Sequence, residues 1–499
     1  GIGESRLFTR EQLAALASAN CLRFPASDAE YVLTALNPSE ERIPGNERLD
    51  PMVTLRSWTE SASVASASLA PSAIVSASRS EDHAHTVAAA TSIQTSRDPY
   101  SNSPTPFDPR YRTAQVGDTV LFVDWKVNTF PSTGQNICVL DKARMPTYKV
   151  VVAAIAGTTV IGVDSRISNA ADHLSEFGKQ WLATGARIAD PLILPTMREV
   201  YDRNFQQPGG GGDRHWHIVG EWGAAGVARD GGTASPQQRC PNASEMIATG
   251  IGAQSTNRTP LMARNLAKII IHEYAHNADN ITAARRGLYG TPVAFSEPFA
   301  VLAEETAVRI ASSQSYGALH SRVTDQHPFS FHALGTLWGQ RPEWSSWKGS
   351  GNYEQGASLL MFARERFGDA PIGSPNPRLY LHMLRDGPWT LSDLAAAAGM
   401  TGPALLDAWA LAHATSGLVP AQTADAAGLP RFRTWELSDR GRPQPNVTVS
   451  RTTGITRTLA AAPGSYAAAY LLADGGRGIS LEVTGIADRP MVVRLTRLR

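Results

Sequence analysis

Apolar and polar positions alternate with a period of two near both ends of the chain, while helical spacing governs much of its middle. Residues 1–57 mix short apolar runs such as Tyr31-Val32-Leu33-Thr34-Ala35-Leu36 with turn signals at Asn37-Pro38 and Pro44-Gly45, which predicts a small β-rich unit. Over 58–110 the pattern dissolves into "SASVASASLAPSAIVSASRS" and a Pro/Ser/Asp stretch. A segment of that composition cannot bury enough apolar surface to offset its ordering entropy, so a mobile linker is expected. Alternation resumes near 111 with "TVLFVDWKV", and "YKVVVAAI" and "VIGVDSRI" flank "AGTT" as a hairpin does. "LSEFGKQWLA" and "PTMREVYDRNF" read as two helices, and Pro208 with Gly209 to Gly212 as a flexible loop. "DRHWHIVGEW" alternates again and predicts a half-exposed strand with His215 and His217 on one face. Helical spacing dominates from 260 to about 418; after Pro430 "NVTVSRTTGITRTLA", "YAAAYLLA", "ISLEVTG" and "PMVVRLTRL" read as strands. The expected class is therefore α+β: a core of mixed sheet and helical subdomain over 111–425, between the N-terminal unit and a C-terminal β-sandwich-like module over 430–499. No internal repeat stands out.

Bulk properties narrow the function classes. A chain of 499 residues, 42% hydrophobic, can bury several cores. Lys+Arg 46 against Asp+Glu 45 gives a net charge of +1, which offers no footprint for nucleic acid or an anionic membrane. No apolar run reaches the roughly eighteen residues of a membrane span. The chain starts at Gly1 rather than Met, which leaves room for a signal peptide or lipid anchor removed beforehand, and a secreted or cell-envelope location is expected. Cys21, Cys138 and Cys240 are widely spaced; one disulfide with a free thiol and three reduced thiols both fit, and no pair has metal-ligand spacing. His83 and His85, in "EDHAH", are solvated linker residues in this reading.

The chemistry concentrates in "TPLMARNLAKIIIHEYAHNADN". Thr259 is an N-cap and Pro260 a first helical residue, and Leu261, Ala263, Leu266, Ile269 and Ile270 follow at helical spacing. His272 and His276 are then one turn apart on the same face and can reach one ion, with Glu273 one position round, near enough to hold a water. Chance assembly of this pattern occurs in on the order of one such chain in a hundred, so zinc still requires a third ligand and an open position. A continuation into Gly and a third His fails, since Asp279 and Thr282 stand there, and "GTPVAF" lacks the Asp of a Gly-Thr-x-Asp pattern. A Glu from the next helix is offered by "AFSEPFAVLAEETAVRIA", with Ser296 as N-cap, Pro298 in the first turn, and Phe299, Leu302 and Val308 facing the core. Glu297 lies 297 − 276 = 21 positions after the second His, enough for an antiparallel return. Glu304 sits about 10 Å further along the axis and cannot share the ion. The plainer alternative is that Glu297 only favours the helix N-terminus through the macrodipole.

"FSEPFAVLAEE" resembles the Asn-Glu-Gly helix of glutamate-zincins, with Ser296 in place of Asn and Pro298 in place of Gly. Together with His-Glu-Tyr-Ala-His and the pair Glu304-Glu305, it is most similar to the hyicolysin-type family of bacterial metallopeptidases, over roughly 145–420. The resemblance implies a zincin-like core holding Zn²⁺ on His272, His276 and Glu297, with Glu273 as general base. "GNYEQGASLLMFARERFGD" is similar to the Tyr-x-x-Gly-Ala helix of the aminopeptidase N group, which implies that the Tyr353 hydroxyl donates to the oxyanion; a Tyr packed at a helix start is the alternative. The Gly-x-Met-Glu-Asn segment of aminopeptidases is absent, and "GEWGAAGVA" carries no acidic residue at the needed place. The expectation is thus a zinc endopeptidase acting on peptide or protein, with strand 214–222 as the sheet edge along which substrate lies. An aminopeptidase, a binding or adhesion protein on a zincin scaffold, and a structural zinc site completed by Asp279, Glu304 or Glu305 are the alternatives.

Overall fold

The computed structural model describes residues 2–8, 12, 15, 22–24, 30–36, 52–57, 108–123, 147–205, 214–220, 226–230, 245–249, 260–285, 291, 293–313, 351–368, 378–386, 391–432, 450–451, 455–458, 468–474, 479–484 and 492–498. The N-terminal part supplies β1 (Ser5–Phe8), β2 (Leu22–Phe24), β3 (Glu30–Leu36) and β4 (Met52–Ser57). The central part runs β5 (Thr119–Val123), β6 (Thr147–Ala156), β7 (Thr159–Asp164), α1 (Ala170–His173), α2 (Glu176–Val200), β8 (His215–Val219), β9 (Gly226–Asp230) and β10 (Glu245–Thr249). Helices then follow: α3 (Pro260–Arg285), α4 (Val293–Ser313), α5 (Gly351–Phe367), α6 (Arg378–Asp386), α7 (Leu391–Ala397), α8 (Gly402–Leu418) and α9 (Ala421–Ala426). The C-terminal part adds β11 (Ser450–Arg451), β12 (Ile455–Thr458), β13 (Ala468–Asp474), β14 (Ile479–Thr484) and β15 (Val492–Arg497). The class is α+β.

The central sheet has the order β5-β6-β7-β8-β10-β9. β8 is parallel to both its neighbours, β7 and β10, and the remaining pairs are antiparallel. The β6–β7 hairpin turns through Gly157-Thr158, where Gly157 takes a left-handed φ of 54°. Asp190 of α2 reaches over this turn and accepts from the Thr158 and Thr159 amides at 2.9 and 3.0 Å. A Cβ at position 157 would stand 2.1 Å from its carboxylate, so the turn and its tie to α2 both require glycine.

The strand expected to be half-exposed and to form the sheet edge is neither. All of β8 is buried and it is hydrogen-bonded along both sides; the edge next to it in sequence is β9. One face of β8 carries Trp216 and Ile218 into an aromatic cluster in which Tyr111 stacks on Phe122 at 4.6 Å and Trp216 meets Phe122 edge-on at 5.1 Å. The other face, with His215 and His217, lies under the helices. Alternation of polar and apolar types signals a strand, but a neutral imidazole can occupy a buried face, so the pattern overstated exposure.

The two helical runs between 174 and 205 are likewise one helix, α2, which continues through Pro191 and Pro195. Ser175 caps it, its hydroxyl accepting from the Gly178 amide at 3.1 Å. Leu182, Ala186, Ala189, Ile193, Met197 and Val200 keep one face buried across both prolines. Burying that face offsets a helix-interior penalty of about 3 kcal/mol per proline. α2 and α3 approach closely at Gly185, where a Cβ would meet Leu266 at 2.7 Å. Together with α4, α5, α6 and α8 they enclose the main hydrophobic core.

The two ends of the chain build one β unit rather than two flanking modules. Strands from both ends interleave in two sheets, β1-β15-β3-β13-β11 and β12-β4-β14-β2. β3 pairs antiparallel with β15 on one side and β13 on the other, and β14 pairs with both β4 and β2. A period of two marks a strand without naming its partner, because backbone donors and acceptors are alike along every strand. The unit docks on the helices. Arg494 of β15 binds the Asp407 carboxylate of α8 with two nitrogens, Gly3 lies against Ala427, and Leu498 enters the main core.

Asp108, expected in the linker, is instead buried and accepts from the Leu121 amide of β5 at 3.0 Å, while Arg110 pairs with it from the exposed side. Residues 58–107, with His83 and His85, and all three cysteines lie outside the described residues. Among the described residues, no helix is long and apolar enough to cross a membrane.

Candidate metal centre

α3 begins at Pro260, a residue suited to the first helical position, and Thr259 lies outside the described residues. Ala263, Leu266, Ala267, Ile270, Ile271, Tyr274 and Ala278 are buried, whereas Ile269, expected on the same stripe, is half-buried. That stripe presses α3 onto α2 and the sheet and turns His272 and His276 toward α4. α4 starts at Val293, four residues before Glu297, the first helical residue expected after a Ser296 cap. Ser296 is therefore a residue of the first turns and not the N-cap, and Pro298 stands inside the helix. Phe295, Phe299 and Leu302 are buried and anchor this helix start in the core despite the proline. Freed from capping, the Ser296 hydroxyl is available to α3.

Three donor atoms converge between the two helices. His272 Nε2 lies 3.1 Å from Glu297 Oε2, His276 Nε2 lies 3.5 Å from the same oxygen, and the two imidazole nitrogens are 3.3 Å apart. Three donors about 2.0–2.1 Å from one ion at tetrahedral angles would be about 3.3 Å from one another, so the triangle has the dimensions of a tetrahedral site with one open position. Among the described residues this is the group of His, Cys, Asp or Glu side chains able to hold a metal ion. Glu273 is buried beside His272 and adds negative charge to it.

Each imidazole is also held from behind. His272 Nδ1 is 2.7 Å from Glu304 Oε1, a carboxylate only 3% exposed. Glu304 lies seven residues after Glu297 and so on the same helical face, where it serves the rear nitrogen of the histidine that Glu297 meets in front. His276 Nδ1 is 2.9 Å from Ser296 Oγ. Asp279, one turn beyond His276 and buried, accepts hydrogen bonds from Thr291 and Tyr380. None of these supporting roles was among the expectations. The spacing of seven was the available signal for Glu304; for Asp279 and Tyr380, 101 residues apart, there was none.

The charge balance follows from this packing. Burial lowers the His272 pKa, but its hydrogen bonds to Glu297 and Glu304 outweigh that and raise it to about 10. Burial raises the Glu297 carboxyl, yet the hydrogen bonds with His272 and His276 hold it well below the usual carboxylate range. In Asp279 burial dominates and the carboxyl is pushed up, against the pull of its hydroxyl donors. The site thus pools carboxylate charge around two imidazoles, a donor set able to hold a metal cation.

Tyr353 falls in the first turn of α5, but its side chain lies outside the described residues. His215 and His217 do not join the centre. His215 Nε2 is 2.8 Å from Thr159 Oγ1 and its ring packs against Tyr274 at 4.9 Å. Burial brings its pKa down to about 4, and burial with the adjacent His215 brings His217 to about 3. No protein-family model matches the chain, and no curated protein matches it in sequence.

Proposed function

We propose that the protein is a zinc-dependent peptidase, most simply an endopeptidase, built on a zincin-like core. One observation carries this: the nitrogens of His272 and His276 and the carboxylate of Glu297 sit 3.1–3.5 Å apart, with Glu273 next to the first histidine. A mixed sheet under two antiparallel-spaced helices that supply His-Glu-x-x-His and a following Glu is also the arrangement implied by the glutamate-zincin resemblance.

Zn²⁺ bound by these three residues supplies Lewis acidity, polarising a peptide carbonyl and lowering the pKa of water toward neutrality. The chain's own part is then positional and acid–base. Glu273 orients the water by a hydrogen bond, takes its proton as it attacks the carbonyl carbon, and hands that proton to the departing amine. Glu304 and Ser296 fix the ring orientations of His272 and His276. The Tyr353 hydroxyl is assigned to the oxyanion, whose charge exists only as the carbonyl becomes tetrahedral. β9, the antiparallel edge of the central sheet, replaces strand 214–222 as the place for an extended peptide to pair, because among the described residues its outer side has no strand neighbour.

The test uses the full chain, its zinc content by elemental analysis and its hydrolysis of an unstructured protein. Wild type should hold one zinc and cleave internally. His272→Ala and His276→Ala should lose the zinc, and Glu273→Gln should keep it and lose turnover. Stoichiometric zinc without hydrolysis by wild type would favour a binding protein on this scaffold; release of single N-terminal residues would favour an aminopeptidase. Equal zinc loss in all three variants would refute the division between ligands and base.

A further inference from the structure

The two histidines of the donor triangle are each held from behind, by Glu304 and by Ser296, but the third donor is not. Among the described residues the Glu297 carboxylate meets His272 and His276 and no further donor. Its place is therefore set by where the α4 backbone starts relative to α3. That start is weakly tied within its own helix, because Pro298 lacks the amide that would bond to the carbonyl of Ala294.

Three side chains supply the missing tie. Asp279, three residues after His276 and 3% exposed, accepts at Oδ1 from Thr291 Oγ1 at 2.6 Å. Thr291 stands two residues ahead of α4 and six ahead of Glu297. The Tyr380 hydroxyl of α6 donates to the same Oδ1, and Tyr380 is 1% exposed. Its ring meets Phe299 of α4 edge-on at 5.2 Å, two residues after Glu297. Tyr380 thus holds α3 with its hydroxyl and α4 with its ring, while Thr291 closes the connection between the two helices. A carboxyl oxygen that bears no proton has two lone pairs, so Oδ1 takes both hydroxyls whether Asp279 is ionised or neutral. The tie depends on acceptor geometry and not on charge.

We infer that Asp279, Thr291 and Tyr380 form a clamp that positions Glu297 as the third metal donor by fixing the start of α4 on α3. This rests on the reading of His272, His276 and Glu297 as metal ligands. The three are positioning residues, which act through the backbone on either side of Glu297. A ligand constellation has to be held within about 0.5 Å of its working geometry, so a start of α4 that slips by that much costs affinity without unfolding the core. Removing groups that support metal ligands typically lowers metal affinity by about 10–100-fold. The docking of α6, a helix more than 90 residues after the histidine pair, becomes a determinant of metal binding.

The experiment measures the zinc dissociation constant of the intact chain by competition with a chromophoric chelator, alongside the melting temperature of each metal-free variant. Thr291→Val, close in shape but without the hydroxyl, should weaken zinc binding by about tenfold. Thr291→Ser, which keeps the hydroxyl, should bind within about twofold of wild type. Tyr380→Phe keeps the ring on Phe299 and loses the bond to Asp279, and should also weaken binding by about tenfold. Glu297→Ala sets the limit: the clamp acts through that residue, so no clamp variant should bind zinc more weakly. Thr415→Val is the control, because it removes a buried hydroxyl that donates to the Leu411 carbonyl at 3.0 Å within α8. It should lower the melting temperature and leave zinc affinity within about twofold of wild type.

Wild-type affinity in Thr291→Val or Tyr380→Phe, no recovery in Thr291→Ser, or equal loss in Thr415→Val would each overturn the inference while the ligand assignment stands. A clamp variant that binds zinc more weakly than Glu297→Ala would overturn it too. If Tyr380→Phe does not fold, the two Thr291 variants decide. A wild-type chain that holds no stoichiometric zinc, or a Glu297→Ala chain that binds zinc as wild type does, overturns the ligand reading, and this inference with it.

Discussion

Replacing His217 with leucine perturbs the buried strand β8 at a group whose charge state depends on folding. His217 has no exposed surface, and neither ring nitrogen has a hydrogen-bond partner among the described residues. Burial, reinforced by His215, holds it near a pKa of about 3, and burial holds His215 near about 4. In the unfolded chain both titrate near 6.5. The unfolded state therefore binds more protons below that pH, and stability falls as pH drops through 6.5 toward the folded values. At pH 5, about 1.5 pH units below the unfolded pKa, the loss is about 2 kcal/mol for each histidine and about 4 kcal/mol for the pair. That is a large part of a typical net stability of about 5–15 kcal/mol.

His217→Leu should make the drop in unfolding free energy between pH 7 and pH 5 about 2 kcal/mol smaller than in wild type. At pH 7 the variant should be at least as stable as wild type, since leucine leaves no unpaired nitrogen in an apolar site. Urea unfolding followed by tryptophan fluorescence, with chelator present so that metal is absent from both proteins, measures this. Titrations common to the two chains, including those of the metal-site residues, cancel in the difference. The same pH dependence in both proteins would refute the reasoning, as would a leucine variant clearly less stable at pH 7.

Two further outcomes concern the metal centre. Glu304→Gln removes the buried charge behind His272 but keeps an acceptor, and should weaken zinc binding by roughly tenfold or more in a chelator competition; unchanged affinity would make Glu304 a packing residue only. Tyr353→Phe should lower kcat and kcat/KM together by about a hundredfold or more, with KM and zinc content nearly unchanged, and full activity would remove Tyr353 from the reaction.

The legible part of this protein is what short stretches encode. In α3 the apolar residues recur every three or four positions, which is enough to predict a helix and to place His272 and His276 on one side of it, one turn apart. The same logic carried Phe299, Leu302 and Val308 to the core side of α4, where all three are buried. It failed where packing overrode local preference. "LSEFGKQWLA" and "PTMREVYDRNF" read as two helices, and Ser296-Glu297-Pro298 as a helix start, yet α2 runs through Pro191 and Pro195 and α4 through Pro298 because their apolar faces are buried.

What the sequence by itself determined is therefore the set of elements and the local face each side chain occupies, since helical and strand periods are properties of neighbouring residues. The partners were decided only in the tertiary structure. Nothing in the alternation of β3 specifies pairing with β13 and β15 near the other end of the chain, and nothing in "HWHIV" separates an edge strand from the interior strand β8. Likewise Glu297 in front of His272, Glu304 behind it, and Tyr380 on Asp279 meet only when α4 and α6 close onto α3. Burial drives that closure with little regard to direction, and the hydrogen bonds and charges that give the site its chemistry act over a few ångströms, so their geometry exists only once the packing has formed.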